Sequence, residues 1–272
     1  MAATGKRDMK RLSDDDLVHM SELMKGSDTV ELKLTVPEAD QRTTLAALEV
    51  DPLDAQIRQV FFFDTPDLAL NRQGVVVRAR RVQNKGDDSV VKLRPIIPAD
   101  LATEIRTSPF FGVEVDAMPG GYVCSGSMKG VPRADVRTTL AGEGKLRGLF
   151  TKEQRRFYAA HAPEGLALDD LLTLGPIFVL KLKFAPKGFE RKMVAEFWLY
   201  PDDSKILELS TKCAPGEAFQ VANEARAFLT QRGVDLSGEQ ETKTKKALEF
   251  FTKRTKTPAV RQAKAAQTES PG

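Results

Sequence analysis

Val75-Val76-Val77-Arg78-Ala79-Arg80-Arg81 and, one short link later, Ser89-Val90-Val91-Lys92-Leu93-Arg94-Pro95 are the runs whose reading decides the fold. Both are β-rich and both alternate. The link from Val82 to Asp88 carries Asn84, Gly86, Asp87 and Asp88, so the pair predicts a hairpin. Alternate side chains of a strand point to opposite faces. Arg78 and Arg80 therefore share a face, as do Lys92 and Arg94, with Val77, Ala79, Val91 and Leu93 behind them. Two readings of the cationic face stay open at this point. It is the solvated side of an antiparallel sheet, or it is turned toward something negative.

Composition narrows the classes. A chain of 272 residues makes one large domain or two small ones, and 41% hydrophobic with 29% charged residues is ordinary for a globular protein. There are 41 basic and 38 acidic residues, a net charge of +3, so no general nucleic-acid-binding excess exists and a basic site must be local. Cys124 and Cys213 are far apart and lack metal spacing, which points to a reducing compartment and away from a disulfide framework. His19 and His161, the two histidines, do not make a histidine metal site or a triad. No run is long and apolar enough to span a membrane, and the start Met-Ala-Ala-Thr-Gly-Lys-Arg-Asp has no signal-peptide core; the expectation is a cytoplasmic protein.

Upstream of the hairpin, residues 1–12 read as loose chain. Ser13 with Asp14, Asp15 and Asp16 starts a helix carrying Leu17, Met20, Leu23 and Met24, ended by Gly26. Thr29–Val36 alternates strictly, with Thr29, Glu31, Lys33 and Thr35 on one face. A short helix from Pro37 to Leu48 and a strand over Gln56–Phe63 follow, then the turn Asp64-Thr65-Pro66-Asp67. Downstream, Phe110–Ala117 is a strand with Glu114 and Asp116 on one face, broken at Pro119-Gly120-Gly121. Val131–Pro163 reads as a helical insertion packed on the sheet. Strands at Ile177–Phe184, Lys192–Tyr200 and Lys205–Lys212 precede helices over Pro215–Leu229 and Glu239–Lys253. The domain expectation is a tail and helix over 1–27, one domain over 28–253 with its insertion at 131–163, and a disordered basic tail over 254–272.

The strand count is about eight, and at least six strands place charges at alternate positions: Glu31 and Lys33, Arg78 and Arg80, Lys92 and Arg94, Glu114 and Asp116, Lys181 and Lys183, then Glu196 and Glu208. Large apolar residues occupy the opposite faces. The architecture that satisfies both is an α+β fold, a closed eight-stranded antiparallel barrel with a charged interior and helices on its outside. Charges enclosed in this way must pair with one another, with water or with a polyanion. Arginine and lysine suit phosphate oxygens. Carboxylates without histidine suit a hard cation, Mg²⁺ or Mn²⁺. Together they are the equipment of phosphoryl transfer.

At these residues the chain resembles the CYTH superfamily, the triphosphate tunnel metalloenzymes, whose members include class IV adenylyl cyclases and thiamine and inorganic triphosphatases. Thr29-Val30-Glu31-Leu32-Lys33 lies where the family has Glu-x-Glu-x-Lys. Phe62-Phe63-Asp64-Thr65-Pro66, the run to Arg78-Ala79-Arg80, Val91-Lys92-Leu93-Arg94, Ile206-Leu207-Glu208-Leu209-Ser210 and Lys243-Thr244-Lys245 follow in the family's order. The resemblance implies a tunnel in which Lys33, Arg78, Arg80, Lys92, Arg94, Lys181 and Lys183 hold a triphosphate or polyphosphate. Glu31, Glu114, Asp116, Glu196 and Glu208 would hold metal, with Glu31 and Glu208 catalytic. The implied activity is metal-dependent hydrolysis of a triphosphate compound, with no membrane or specific nucleic-acid partner. The alternatives are a non-catalytic polyphosphate or nucleotide binder and a class IV-type cyclase. The departure is Thr29, where the family has its first glutamate.

Overall fold

The computed structural model describes residues 13–236, 238, 240 and 243–255, with side chains as far as Phe251. Residues 1–12 and the tail from 256 on lie outside the described residues. Nine strands, β1 (Thr29–Val36), β2 (Gln56–Asp64), β3 (Val75–Val82), β4 (Asp88–Leu93), β5 (Phe111–Met118), β6 (Gly121–Gly130), β7 (Leu172–Phe184), β8 (Met193–Leu199) and β9 (Lys205–Cys213), close into a barrel in the order β1-β5-β6-β4-β3-β2-β7-β8-β9. The helices are α1 (Asp14–Lys25), α2 (Gln41–Ala47), α3 (Ala69–Arg72), α4 (Thr103–Arg106), α5 (Val136–Thr138), α6 (Lys152–His161), α7 (Ala218–Gln231) and α8 (Lys243–Thr255). No described helix is long and apolar enough to cross a membrane.

The closed α+β barrel is as expected, but two details differ. The strand missed by the sequence reading is β6. It leaves the two-residue Pro119-Gly120 turn at once, Met118 pairing with Gly121, and its glycines and serines hide it from a reading that looks for β-branched residues. The barrel is also not wholly antiparallel, because β1 pairs with β5 in parallel. Strands of alternating direction cannot close a ring of odd number, so nine strands require one parallel seam. In addition, β7 begins at Leu172 rather than Ile177, and α8 runs on to Thr255, past the expected start of the tail.

Three apolar clusters cover the outside. Met20, Leu23 and Met24 of α1 pack on Val30, Val113 and Val115 with Val221 of α7. Phe228 and Leu229 of α7 cover Leu34, Leu207 and Leu209. The segment containing α5 and α6 brings Val136, Leu149, Phe150, Phe157 and Tyr158 onto Phe61, Val77, Val91 and Met128. Each fully buried side chain of this size contributes roughly 1.5–3 kcal/mol, which is what holds helices this short in place. One polar lock reinforces the last contact. The Gln154 side chain, fully buried, accepts from Ser89 Oγ (2.9 Å) and Thr151 N (2.9 Å) and donates to the carbonyls of Ser89 (2.9 Å) and Met128 (3.1 Å).

A fourth cluster is internal. Val60, Phe62, Ile177, Val179, Trp198, Tyr200 and Ile206 lie on the inward faces of β2, β7, β8 and β9, toward one end of the barrel, and α8 sets Ala247, Leu248 and Phe251 against them. The barrel is therefore plugged at that end along one wall and charged along the rest of its lumen.

Candidate functional site

The lumen is a cavity of about 650 Å³, and all twelve charged residues singled out in the sequence line it: Glu31, Lys33, Arg78, Arg80, Lys92, Arg94, Glu114, Asp116, Lys181, Lys183, Glu196 and Glu208. The open question about the cationic face is resolved in favour of an interior. In all, twelve lysines and arginines face seven carboxylates. That local excess of positive charge is larger than the net charge of the whole chain.

The β1–β5 wall holds an acidic cluster. The parallel register puts Glu31 beside Asp116 and Thr29 beside Glu114, and one oxygen each from Glu31, Glu114 and Asp116 lies within 4.8 Å of the others. Lys33 Nζ sits 2.7 Å from Asp116 and 3.3 Å from Glu31, while Lys92 (3.9 Å) and Arg94 (3.5 Å) reach Asp116 from β4. Burial alone would raise the pKa of Asp116, but Lys33, Lys92 and Arg94 hold it down at about 2. Burial opposes Glu31 in the same way, and Lys33 and Lys212 still lower its pKa. Ser210 Oγ donates to Glu31 Oε1 at 2.9 Å, and Thr29 Oγ1 to Glu114 Oε2 at 3.3 Å. Both Asp116 oxygens are fully buried and accept no well-aligned hydrogen bond. Three converging carboxylates, held together here by ammonium groups, form an all-oxygen donor set that fits a hard divalent cation.

Glu196 and Glu208 are not part of that cluster. They are cross-strand neighbours on β8 and β9, bound by the α8 residue Lys243, which contacts Glu196 and lies 2.7 Å from Glu208. Lys181 (2.6 Å) and the Trp198 indole (3.2 Å) also hold Glu196. Burial would raise the pKa of Glu196, yet Lys243 and Lys181 drive it well below the usual range. Lys243, opposed by burial, is raised by the same two glutamates. The five carboxylates expected to share metal thus fall into a group of three and an ion-paired group of two.

The β2–β3–β4 wall is cationic. Arg80 is spent on Asp88 through two 2.8 Å hydrogen bonds, and Arg58 turns to Gln56 Oε1 (2.7 Å). Arg78 is different. Its Nε is buried without a hydrogen-bond partner, and it has no carboxylate partner among the described residues. Burial, then Arg80 beside it, press its pKa down to about 9, with Asp88 and Glu196 offsetting only part of the effect, so it stays charged at neutral pH. Burial likewise lowers Lys92 to about 8, with Asp116 offsetting only part of the effect. Lys183 lines the lumen at an exposed position.

Two motif residues support the site through its backbone. The buried Asp64 carboxylate accepts from the backbone N–H groups of Thr65 (2.7 Å), Leu70 (2.9 Å) and Asn71 (3.0 Å), tying the turn that leads into β3. Gly74, at φ +71°, accepts at its carbonyl the 2.8 Å hydrogen bond from the Arg94 N–H; a Cβ there would stand 2.6 Å from the Arg94 carbonyl. Only glycine takes that φ at that distance, and it keeps Arg94 aimed at Asp116.

Sequence reasoning gave no role to Arg58, Asp88, Lys129 or Lys212, and carried Lys243 and Lys245 only as part of a motif match; all six line the cavity. The signal for Arg58 and Lys212 was parity, since Arg58 follows Gln56 by two residues and Lys212 follows Glu208 by four. Nothing in the pattern shows that α8 turns back into the lumen.

No family model matches the sequence, and no curated protein is detectably similar to it. The fold does have solved counterparts. A candidate adenylyl cyclase from Hippeastrum, described as having a dominant triphosphatase activity, matches with a TM-score of 0.52 at 16% identity over 78% of this chain and 91% of its own. A candidate adenylate cyclase from Bacillus halodurans matches with a TM-score of 0.55 at 12% identity over 80% of this chain and 98% of its own. This chain shares their fold, which agrees with the resemblance of its strand motifs to the triphosphate tunnel proteins.

Proposed function

We propose that this protein binds a triphosphate-bearing compound in its barrel and hydrolyses a phosphoanhydride bond with the help of a divalent metal. One observation carries the reading: a barrel lumen with a large cation excess, in which the Arg78 Nε is buried without a hydrogen-bond partner and Asp88 and Glu196 offset only part of the cost of burying its charge. A buried unpaired charge is costly, and a polyanion removes that cost. Arg78, Arg94, Lys92 and Lys181 are placed to contact phosphate oxygens from three walls, arginine as a planar fork and lysine as a point charge. Glu31, Glu114 and Asp116 would hold Mg²⁺ or Mn²⁺, which in such a site neutralises phosphate charge and polarises the P–O bond under attack. Lys33, pinned between Glu31 and Asp116, fixes both carboxylates. Glu208, beside Lys243, and Glu31 are the candidates to orient the attacking water.

A second reading has its own support. Thr29 replaces an acid, and ammonium groups already occupy the carboxylates, which suits a receptor that binds a triphosphate without cleaving it. A cyclase reading gains nothing from the cavity. Among the described residues its one lining aromatic, Trp198, is 4% exposed and lies under Lys243, leaving no open ring for a base.

Phosphate release from inorganic triphosphate, ATP and thiamine triphosphate, with Mg²⁺ or Mn²⁺ and a chelator control, tests the proposal. Metal-dependent release from one of them is the expected result. Binding of inorganic triphosphate without release favours the receptor, and absence of binding overturns both.

A further inference from the structure

The acidic cluster has a second feature. Lys212, on β9, is the cross-strand neighbour of Glu31, so Asp116 and Lys212 flank Glu31 on its two adjoining strands. The Lys212 ammonium contacts Glu114 Oε2 and lies 3.7 Å from Glu31 Oε2. It therefore stands on oxygens of two of the three carboxylates that a cation would use. The other ammonium of the cluster, Lys33, is 16% exposed and held tightly by Asp116, whereas the Lys212 side chain is 52% exposed at the mouth. Lys212 can swing into water at little cost, and Lys33 cannot.

We infer that Lys212 is a tethered counter-ion that controls metal occupancy: a divalent cation binds Glu31, Glu114 and Asp116 only by displacing its ammonium. The inference rests on the reading of these three carboxylates as the metal site. A metal and an ammonium cannot share the same oxygen lone pairs, and like charges at this separation repel strongly in a partly enclosed site. The metal site is thus built with its own competitor, and metal affinity is set below what three carboxylates alone would give. Once displaced, the ammonium remains at the mouth of a cavity that takes an anion, so loss of one ion pair is offset when a polyanion arrives with the metal. The competition comes from charge and reach, not from shape.

The test is Mn²⁺ binding, without triphosphate, followed by paramagnetic resonance of free Mn²⁺ and by calorimetry. Lys212→Met and Lys212→Gln are expected to bind Mn²⁺ about tenfold tighter than the unaltered chain or more. Lys212→Arg keeps the charge and is expected to stay within about twofold of it. Lys129→Met removes another lysine that lines the cavity but has no ion pair to the cluster, and is expected to leave Mn²⁺ affinity unchanged. Equal affinity in Lys212→Met, Lys212→Gln and the unaltered chain overturns the inference, as does equal tightening in Lys129→Met or absence of Mn²⁺ binding in every variant. Calorimetry of inorganic triphosphate in the presence of a chelator separately tests anion binding. A failure there leaves the Mn²⁺ comparison standing as its own result.

Discussion

At the scale of single residues, charge compensation separates side chains that look alike in the sequence. Arg80 and Arg78 share a face of β3, but Arg80 is paired with Asp88 and Arg78 is not. Replacing Arg78 with methionine is therefore expected to weaken triphosphate binding at least about tenfold. The thermal midpoint should stay unchanged or rise, because no native ion pair is broken. Calorimetry and a melt on the same protein check both halves, and a clear fall in the midpoint would show that Arg78 has a structural partner. Lys92 gives a pH dependence. Its pKa falls from the lysine value of 10.5 to about 8, chiefly through burial. Between those values the unfolded chain binds more protons, so this group lets the ligand-free protein gain stability as pH rises through the window. A bound triphosphate stabilises the ammonium, so binding should take up a proton near pH 8 to 9 and weaken above it. Calorimetry in buffers of different ionisation enthalpy measures that uptake, and zero uptake contradicts the assignment.

At the scale of elements, two contacts join helices to the barrel by polar groups rather than by apolar area alone. The Gln154 side chain locks α6 to β4 and β6, and Gly130 must lack a Cβ because one would sit 2.5 Å from Gln154 Oε1. Gln154→Ala strands buried donors and acceptors and is expected to cost roughly 3 kcal/mol, read as a lower denaturation midpoint with an unchanged slope. Lys243 does for α8 what Gln154 does for α6, with charge added. Lys243→Met leaves Glu196 and Glu208 adjacent, with Lys181 paired to Glu196 alone, and should lower the melting temperature by several degrees at neutral pH. Glu196 is ionised well below the usual range in the native protein, so the stability its pairing provides is present above the ordinary carboxylate pKa and lost as pH falls. The variant's deficit should accordingly shrink in acid, and a deficit independent of pH would assign Lys243 a packing role only.

At the scale of the whole molecule, a nearly neutral chain encloses a strongly positive lumen, and field lines focus at its mouth. The association rate of triphosphate should fall steeply as salt rises from about 0.01 M to 1 M, where the Debye length shrinks from about 30 to 3 Å. A flat salt dependence in stopped-flow measurements would contradict a steering lumen. Much of this was legible in the sequence because strand parity is local. A charge at every second position, as at Arg78 and Arg80 or Glu114 and Asp116, fixes which side chains share a face before any strand finds its neighbour. The glycine-rich β6 was not legible, because it carries little of the alternation that marks a strand. The sequence by itself determined a closed barrel with charges on one face and twelve of the charged residues that line its lumen. Only the tertiary structure decided which charges meet. The parallel β1–β5 seam gathered Glu31, Glu114 and Asp116, the β9 register set Lys212 on two of them, and α8 returned Lys243 to Glu196 and Glu208. Pairing across strands depends on register and closure, which join residues far apart in the chain and leave no mark on the local pattern.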